Sequence, residues 1–166
     1  MFKMLSAWGR VTERSFARMI IKPDWEIPPI PGSEGQDHLV YVEPEIERPF
    51  GDLVRFRVAR REPAERKVLL VAPMSGHFAT LLRGTVETFL PDHEVYITDW
   101  TDARMVPLTE GRFDMSDYID HVRQMITEIG TGTHVVAVCQ PGPLVLAAVA
   151  LMAEDEDPAR PATMTF

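Results

Sequence analysis

The sequence predicts an α/β fold in which a mostly parallel sheet is flanked by helices. From residue 67 onward, apolar runs of strand length alternate with segments of helical periodicity. This order of elements is typical of β-α-β units, which build a parallel sheet. The chain has 166 residues, of which 45% are hydrophobic, so it is long and apolar enough for a sizeable core.

The parallel strands are predicted from continuous apolar runs bounded by turn residues. These runs are KVLLVAP (67–73), EVYITDW (94–100) and THVVAV (133–138), and PATMTF (161–166) resembles the start of a further strand. Two earlier runs, LVYV (39–42) and LVRFRV (53–58), have no helix between them, which predicts an antiparallel hairpin. The alternation in 53–58 favours a half-exposed strand at the edge of the sheet.

Helices are predicted over 78–90, 116–129 and 143–153. In the second helix the apolar residues recur at helical spacing, and either Ser116 or Asp114 is suited to cap its first turn. The third helix is apolar almost throughout. Pro91 ends the first helix and Gly130 ends the second.

The N-terminal segment differs from the rest of the chain in charge. Residues 1–22 carry five basic side chains and one acidic side chain, with apolar residues near helical spacing. The pattern predicts a basic amphipathic helix, suited either to a membrane or polymer surface or to packing on its own domain. The prolines and glycines of 23–35 predict a linker. We therefore expect two parts, 1–35 and 36–166, the second being the folded domain.

Composition excludes several classes of protein. A net charge of −8 argues against a nucleic-acid partner, because phosphate contacts need clustered Lys and Arg. No apolar run approaches the ~18 residues of a transmembrane span, and no signal peptide is recognisable. One cysteine can form neither an internal disulfide nor a multi-cysteine metal site, and the five histidines are dispersed. These features predict a cytoplasmic protein with no metal site.

Cys139 is the strongest candidate for a catalytic residue. It lies where a strand turns directly into a helix, in VCQPGP (138–143). Hydrolases place their nucleophile at such an elbow, where the next backbone N–H, here that of Gln140, can hold an oxyanion. The elbow usually has glycines two residues to either side, whereas this chain has Ala137 and Pro141. The alternative is a buried structural cysteine at a strand end.

A second loop is expected at the same edge of the sheet. It is APMSGHF (72–78), in which the backbone N–H of Met74 or Ser75 is suited to complete an oxyanion site. His77 is the one histidine at the predicted active edge, where it could act as a base for the cysteine. Asp99 and Asp102 follow the next strand and could line the site or simply cap the loop.

Three segments together carry a family resemblance. The run VLLVAPMSGHFATLLRGTVETFLPDHEVYITDWTDARMVPL contains two of them, APMSGHFATLLRGTV and DWTDAR, and the third is VCQP within HVVAVCQPGPLVLAA. With these segments the sequence, from about Leu39 to its last residue, resembles the intracellular polyhydroxyalkanoate depolymerases, which degrade stored poly(3-hydroxybutyrate). The resemblance implies an α/β-hydrolase fold, Cys139 as the nucleophile that forms an acyl-thioester, and polyhydroxyalkanoate granules or oligomers as partners. It implies no cofactor.

The family takes its catalytic Asp and His from later strands of the sheet. Residues 140–166 contain no histidine, and Asp155 and Asp157 come too early to be the acid. We therefore expect an α/β-hydrolase domain truncated after the helix that follows the nucleophile. Such a fragment is expected to be catalytically silent and to self-associate through an exposed sheet edge.

Three alternatives to a depolymerase stay open. The chain could be a non-catalytic fragment that docks on granules through its basic helix, or an esterase for another acyl group. A polyhydroxyalkanoate synthase also uses a cysteine elbow, although synthases usually keep the glycines that Ala137 and Pro141 replace here.

Overall fold

The computed structural model describes residues 22–32, 35–59, 64–74 and 78–166. Within these ranges the strands are β1 (Ile30–Pro31), β2 (Asp37–His38), β3 (Val40–Ile46), β4 (Gly51–Val58), β5 (Arg66–Val71), β6 (His93–Trp100), β7 (Thr133–Ala137) and β8 (Thr163–Thr165). The helices are α1 (Arg83–Phe89), α2 (Met115–Ile129) and α3 (Gly142–Glu154), with short 3-10 turns at Ala79–Leu82 and Leu108–Glu110.

The central sheet has the strand order β3-β4-β6-β5-β7-β8. Strands β6, β5, β7 and β8 run parallel to one another, whereas β3 pairs antiparallel with β4 and β4 pairs antiparallel with β6. The predicted hairpin and the predicted mostly parallel sheet are both confirmed. The small strands β1 and β2 form a separate antiparallel pair.

Helices cover both faces of this sheet. On one face α2 and α3 pack against alternate residues of the strands, including Leu69, Val135 and Ala137. On the other face the 3-10 turn at Ala79–Leu82 and α1 cover Val68, Leu70 and Ile97. Because strand side chains alternate between faces, the continuous apolar runs serve both cores at once.

One strand lies elsewhere than the sequence predicted. The segment 53–58 belongs to β4, which is flanked by β3 and β6 and is therefore inside the sheet. Its apolar residues are buried, and its partly exposed Arg55 reaches Glu94 on β6. The prediction of an edge strand was wrong because alternation reports the polarity of each face, whereas the pairing with β6 joins residues about 40 to 50 positions apart. The edge position belongs to β3.

The predicted helices agree closely with the structure. The first begins as a 3-10 turn and continues as α1, and the other two are α2 and α3. Of the two candidate caps for α2, Asp114 takes the role: its side chain accepts from the backbone N–H of Ser116 and of Asp117. Asp117 in turn accepts from the backbone N–H of Asp114, which completes a capping box.

The segment before β1 packs on the sheet. Trp25 and Ile30 are buried against the core, and the Trp25 ring meets the Phe56 ring edge to face at 4.8 Å between centroids. Arg83 of α1 holds the same segment through the carbonyl of Asp24. The predicted basic helix of 1–22 lies, apart from Lys22, outside the described residues, and the boundary at residue 35 stays a prediction.

Within the described ranges, no helix combines the length and apolarity needed to cross a membrane. The sheet ends at β8, where Thr163, Met164 and Thr165 are all exposed.

Candidate active site

The order of the strands determines where a ligand site can form. From β5 the chain moves to β6 on one side, and it then returns to place β7 on the other side of β5. In open α/β sheets, ligands bind beyond the carboxyl ends of the strands at such a reversal of strand order. Here the loop after β5 and the loop after β7 meet at this point.

Cys139 lies directly beyond the carboxyl end of β7. Its side chain is exposed, which contradicts the alternative of a buried structural cysteine. Its backbone φ is 67°, in the left-handed region that non-glycine residues rarely adopt and that costs of order 1–3 kcal/mol. Strain of this kind at a strand-to-helix turn is the geometry of a nucleophile elbow.

The elbow is closed by backbone hydrogen bonds. The N–H of Gly142 donates to the carbonyl of Cys139 at 3.2 Å, and the N–H of Val145 donates to the carbonyl of Pro141 at 2.9 Å. Helix α3 begins directly afterwards, with Pro141 at its N-cap. Proline is well suited to the first turn of a helix because it has no N–H to leave unbonded. The positive end of the α3 dipole is thus close to Cys139.

The loop after β5 faces the elbow through Met74. The backbone N–H of Met74 donates to Oε1 of Gln140 at 3.0 Å. An amide proton of the first loop is therefore directed at an oxygen atom carried by the residue that follows Cys139. This arrangement brings together two of the predicted site residues, and the Met74 N–H becomes available to another acceptor at the elbow only when the Gln140 side chain moves.

Ala72, two residues before Met74, is held by side chains of β6 that the sequence did not single out. Its N–H donates to Oγ1 of Thr98 at 2.9 Å, and its carbonyl accepts from Nε1 of Trp100 at 2.9 Å. On the other side, the N–H of Val138 donates to the carbonyl of Val71 at 3.1 Å. The only available signal was that Thr98 and Trp100, two residues apart, project from the same face of a strand.

Asp99 is buried near the carboxyl end of β6. Its carboxylate pairs through Oδ2 with Lys22, and Oδ1 has no hydrogen-bond partner among the residues that the structure describes. Burial raises the pKa of Asp99, while the bond from Lys22 opposes that rise. The carboxylate belongs to an ion pair that the sequence did not suggest, since the two residues are far apart in the chain.

Asp102 lies in the loop after β6 and is held by Arg104. Three hydrogen bonds join the guanidinium to the carboxylate, and the backbone N–H of Arg104 donates to it as well. These bonds lower the pKa of Asp102 to about 2. A carboxylate held in this way is a weak proton acceptor, so the geometry favours the loop-capping role.

An aromatic cluster lies behind the carboxyl end of β6. Trp100 stacks on Tyr118 with 4.4 Å between ring centroids, and Phe113 meets His121 edge to face at 5.1 Å. The Tyr118 hydroxyl and Nε2 of His121 are buried, and neither has a hydrogen-bond partner within the described part of the chain. Burial raises the pKa of Tyr118. Burial, aided by the nearby Arg48, lowers the pKa of His121.

Two predicted site residues, Ser75 and His77, lie outside the described residues, and their roles stay predictions. Among the residues that the structure describes, no cluster of His, Cys, Asp or Glu side chains is arranged to hold a metal ion.

Comparison with solved structures supports the fold. A protein from Staphylococcus aureus assigned as an esterase superposes with a TM-score of 0.51 at 14% identity, covering 75% of this chain and 42% of its own. A carboxylesterase, CesB, from Bacillus subtilis gives a TM-score of 0.45 at 10% identity, covering 76% of this chain and 41% of its own. The chain therefore spans less than half the length of either protein. The strand order of the sheet, together with the superposition on the Staphylococcus aureus protein, gives the chain an α/β-hydrolase-like fold.

No protein-family model and no curated protein sequence matches the chain.

Proposed function

We propose that the chain carries the nucleophile and oxyanion site of an ester hydrolase, with Cys139 as the nucleophile. The observation that carries the proposal is the exposed Cys139 held at φ 67° between β7 and α3. A strained turn reduces the stability of the folded state, and an exposed side chain recovers none of this by packing. A requirement to present the thiol at the sheet edge explains why the strain is kept.

The proposed chemistry is acyl transfer. The Cys139 thiol gives its proton to a base, and Sγ adds to the ester carbonyl, whose oxygen is held by the backbone N–H groups of Gln140 and Met74. To do so, the Met74 N–H exchanges its bond to Gln140 Oε1 for one to the oxyanion. The carbon–oxygen bond then breaks, the alcohol leaves with a proton, and an acyl-thioester remains on Sγ. Water hydrolyses the thioester and restores the thiol.

The substrate that best fits the sequence is a polyester of 3-hydroxy acids. This assignment rests on the segments APMSGHFATLLRGTV, DWTDAR and VCQP, which resemble intracellular polyhydroxyalkanoate depolymerases. Granules of such a polyester, and the cytoplasm that stores them, are the corresponding proposed partner and location. Residues 140–166 contain no histidine, so a histidine that serves as the base must come from outside this segment.

The experiment that tests this proposal measures acylation of the thiol. The 166-residue chain is incubated with p-nitrophenyl butyrate and with a p-nitrophenyl ester of a 3-hydroxybutyrate trimer. We expect release of one equivalent of nitrophenolate and an acyl adduct that peptide mass spectrometry locates on Cys139. Cys139→Ala is expected to abolish both signals. An adduct that persists in Cys139→Ala would contradict the assignment of the nucleophile.

The two esters separate the reaction from its substrate. Faster acylation by the trimer than by butyrate supports the polyester assignment. Equal or slower acylation by the trimer favours an esterase for simpler acyl groups and would remove the polyester from the proposal.

A further inference from the structure

We propose that Thr98 and Trp100 are positioning residues that fix the direction of the Met74 amide and so build the second half of the oxyanion site. The inference rests on the proposed function, because it gives these side chains a role in acyl transfer at Cys139. Both residues belong to β6, and the bonds in question join their side chains to Ala72.

The bonds that support this role lie just beyond the point where backbone pairing between β5 and β6 stops. The last registered pair of these strands is Leu70 with Ile97. Beyond it, both backbone groups of Ala72 bond to side chains of β6: the N–H to Thr98 Oγ1 and the carbonyl to Trp100 Nε1. Ala72 and Thr98 are completely buried. Water therefore cannot replace these bonds at low cost.

Proline transmits this constraint to the catalytic edge. The ring of Pro73 fixes its φ at about −65°, and the residue has no N–H. It also restricts the backbone of Ala72, which precedes it. With Ala72 clamped, few torsions remain free before the Met74 amide. That amide lies 3.0 Å from Gln140 Oε1, so a clamp on Ala72 determines where the amide proton points.

The opposite side of the loop is held independently of β6. The carbonyl of Val71 accepts from the N–H of Val138, which directly precedes Cys139. The backbone is therefore held on one side at Val71, by the residue that precedes the nucleophile, and on the other side at Ala72, by side chains of β6. Loss of the β6 bonds should leave the nucleophile in place and disturb only the amide that faces it.

This asymmetry allows a test with two reagents. Acylation of Cys139 by p-nitrophenyl butyrate passes through an oxyanion and therefore depends on the Met74 amide. Alkylation by iodoacetamide forms the sulfur–carbon bond as iodide leaves and needs no oxyanion site. We therefore use the ratio of the acylation rate to the alkylation rate, measured at one pH on the 166-residue chain. This ratio separates oxyanion stabilisation from the reactivity of the thiol.

Thr98→Val removes the oxygen that accepts from Ala72 while nearly conserving side-chain volume. We expect it to lower the acylation rate about tenfold or more, since small misplacements of catalytic groups have effects of this size, and to leave alkylation unchanged. Thr98→Ser keeps the hydroxyl and is expected to restore most of the ratio. Trp100→Phe, which removes the indole N–H, should lower the ratio in the same direction.

Thr133→Val is the matched control. Thr133 is also a completely buried threonine whose side chain makes a hydrogen bond, from Oγ1 to the carbonyl of Gly130, but it lies at the start of β7. Loss of this hydrogen bond should lower the free energy of unfolding without changing the ratio of acylation to alkylation. If Thr98→Val, folded by circular dichroism, keeps the wild-type ratio or changes it no more than Thr133→Val does, the inference is wrong.

Failure of the proposed function has a different signature. In that case the wild-type ratio would equal the ratio measured for free N-acetylcysteine, because no oxyanion would be stabilised. A wild-type ratio above that of N-acetylcysteine together with an unchanged ratio in Thr98→Val would overturn the positioning role alone.

Discussion

Strand β6 carries a buried carboxylate near each end, and the two are bonded very differently. Glu94, near the start of the strand, accepts from the Arg55 guanidinium through two nitrogens and from the backbone N–H of Ala64. Asp99, near the end, pairs with Lys22 through one oxygen, and its other oxygen has no partner in the described ranges. Both residues are almost completely buried.

The difference separates two edges with different roles. At the amino end of the parallel strands every oxygen of the buried carboxylate has a bond, as expected where only stability matters. At the carboxyl end an unsatisfied oxygen, the unsatisfied Tyr118 hydroxyl and a strained Cys139 all occur. Such local costs concentrate at functional sites. The edge with the candidate nucleophile is therefore the less stable one.

Removing the partner of Asp99 should have the largest effect on stability. Lys22→Met leaves a buried carboxylate without a counter-ion, and we expect a loss of about 3 kcal/mol in the free energy of unfolding at pH 7. Urea unfolding followed by circular dichroism measures this loss. Asp99→Asn added to Lys22→Met removes the buried charge and should recover most of it. A double variant as unstable as Lys22→Met would contradict this account.

The stability of Lys22→Met should depend on pH. Burial raises the pKa of Asp99 in the folded protein, so folding favours the protonated carboxyl, and stability is lost as the pH rises through that raised value. Without Lys22 to oppose it, the rise should be larger. The deficit of Lys22→Met should therefore shrink as the pH falls toward the ordinary aspartate range.

Removing the partner of Glu94 should have a smaller effect. Arg55→Leu leaves Glu94 with the N–H of Ala64, so we expect a loss of about 2 kcal/mol, within the range for hydrogen bonds to a charged group. The same urea titration measures it, with Arg57→Leu as a control, since Arg57 pairs with the exposed Glu43 instead. A loss larger than that of Lys22→Met would reverse the comparison of the two ends.

The smallest effect is expected from His121, which lies in the aromatic cluster behind the carboxyl end. Burial and the positive charge of Arg48 lower its pKa, although Asp117 and Asp120 oppose the shift. Because folding then favours the neutral ring, stability falls as the pH drops below about 6.5. We expect a loss of up to about 1 kcal/mol between pH 7 and pH 5.

Thermal unfolding across this pH range provides the measurement. His121→Phe should flatten the dependence, whereas Tyr118→Phe, which alters the same cluster without removing the imidazole, should keep it. An unchanged slope in His121→Phe would assign the pH dependence to other groups.

Local patterns in the sequence predicted most of the fold and the centre of the site. The apolar runs located β5, β6 and β7, and the direct passage from strand to helix singled out Cys139. These features depend on neighbours in the chain, so periodicity and turn residues reveal them. The predicted loop of 72–78 likewise contains the amide that faces the elbow.

Features that depend on register across strands could not be predicted. The interior position of β4, the pairing of Lys22 with Asp99 and the bonds from Thr98 and Trp100 to Ala72 all join residues far apart in sequence. A hydroxyl or an indole in a strand gives no local sign of which backbone it will meet. That information exists only once the strand order is known.

The positive φ of Cys139 has a consequence for protein engineering. Glycine adopts this conformation without strain, so a screen for thermal stability alone would tend to enrich glycine at position 139. The most stabilised sequences from such a screen would then lack the thiol altogether. Selection for thermal stability would favour glycine at position 139, whereas selection for thiol reactivity would favour cysteine.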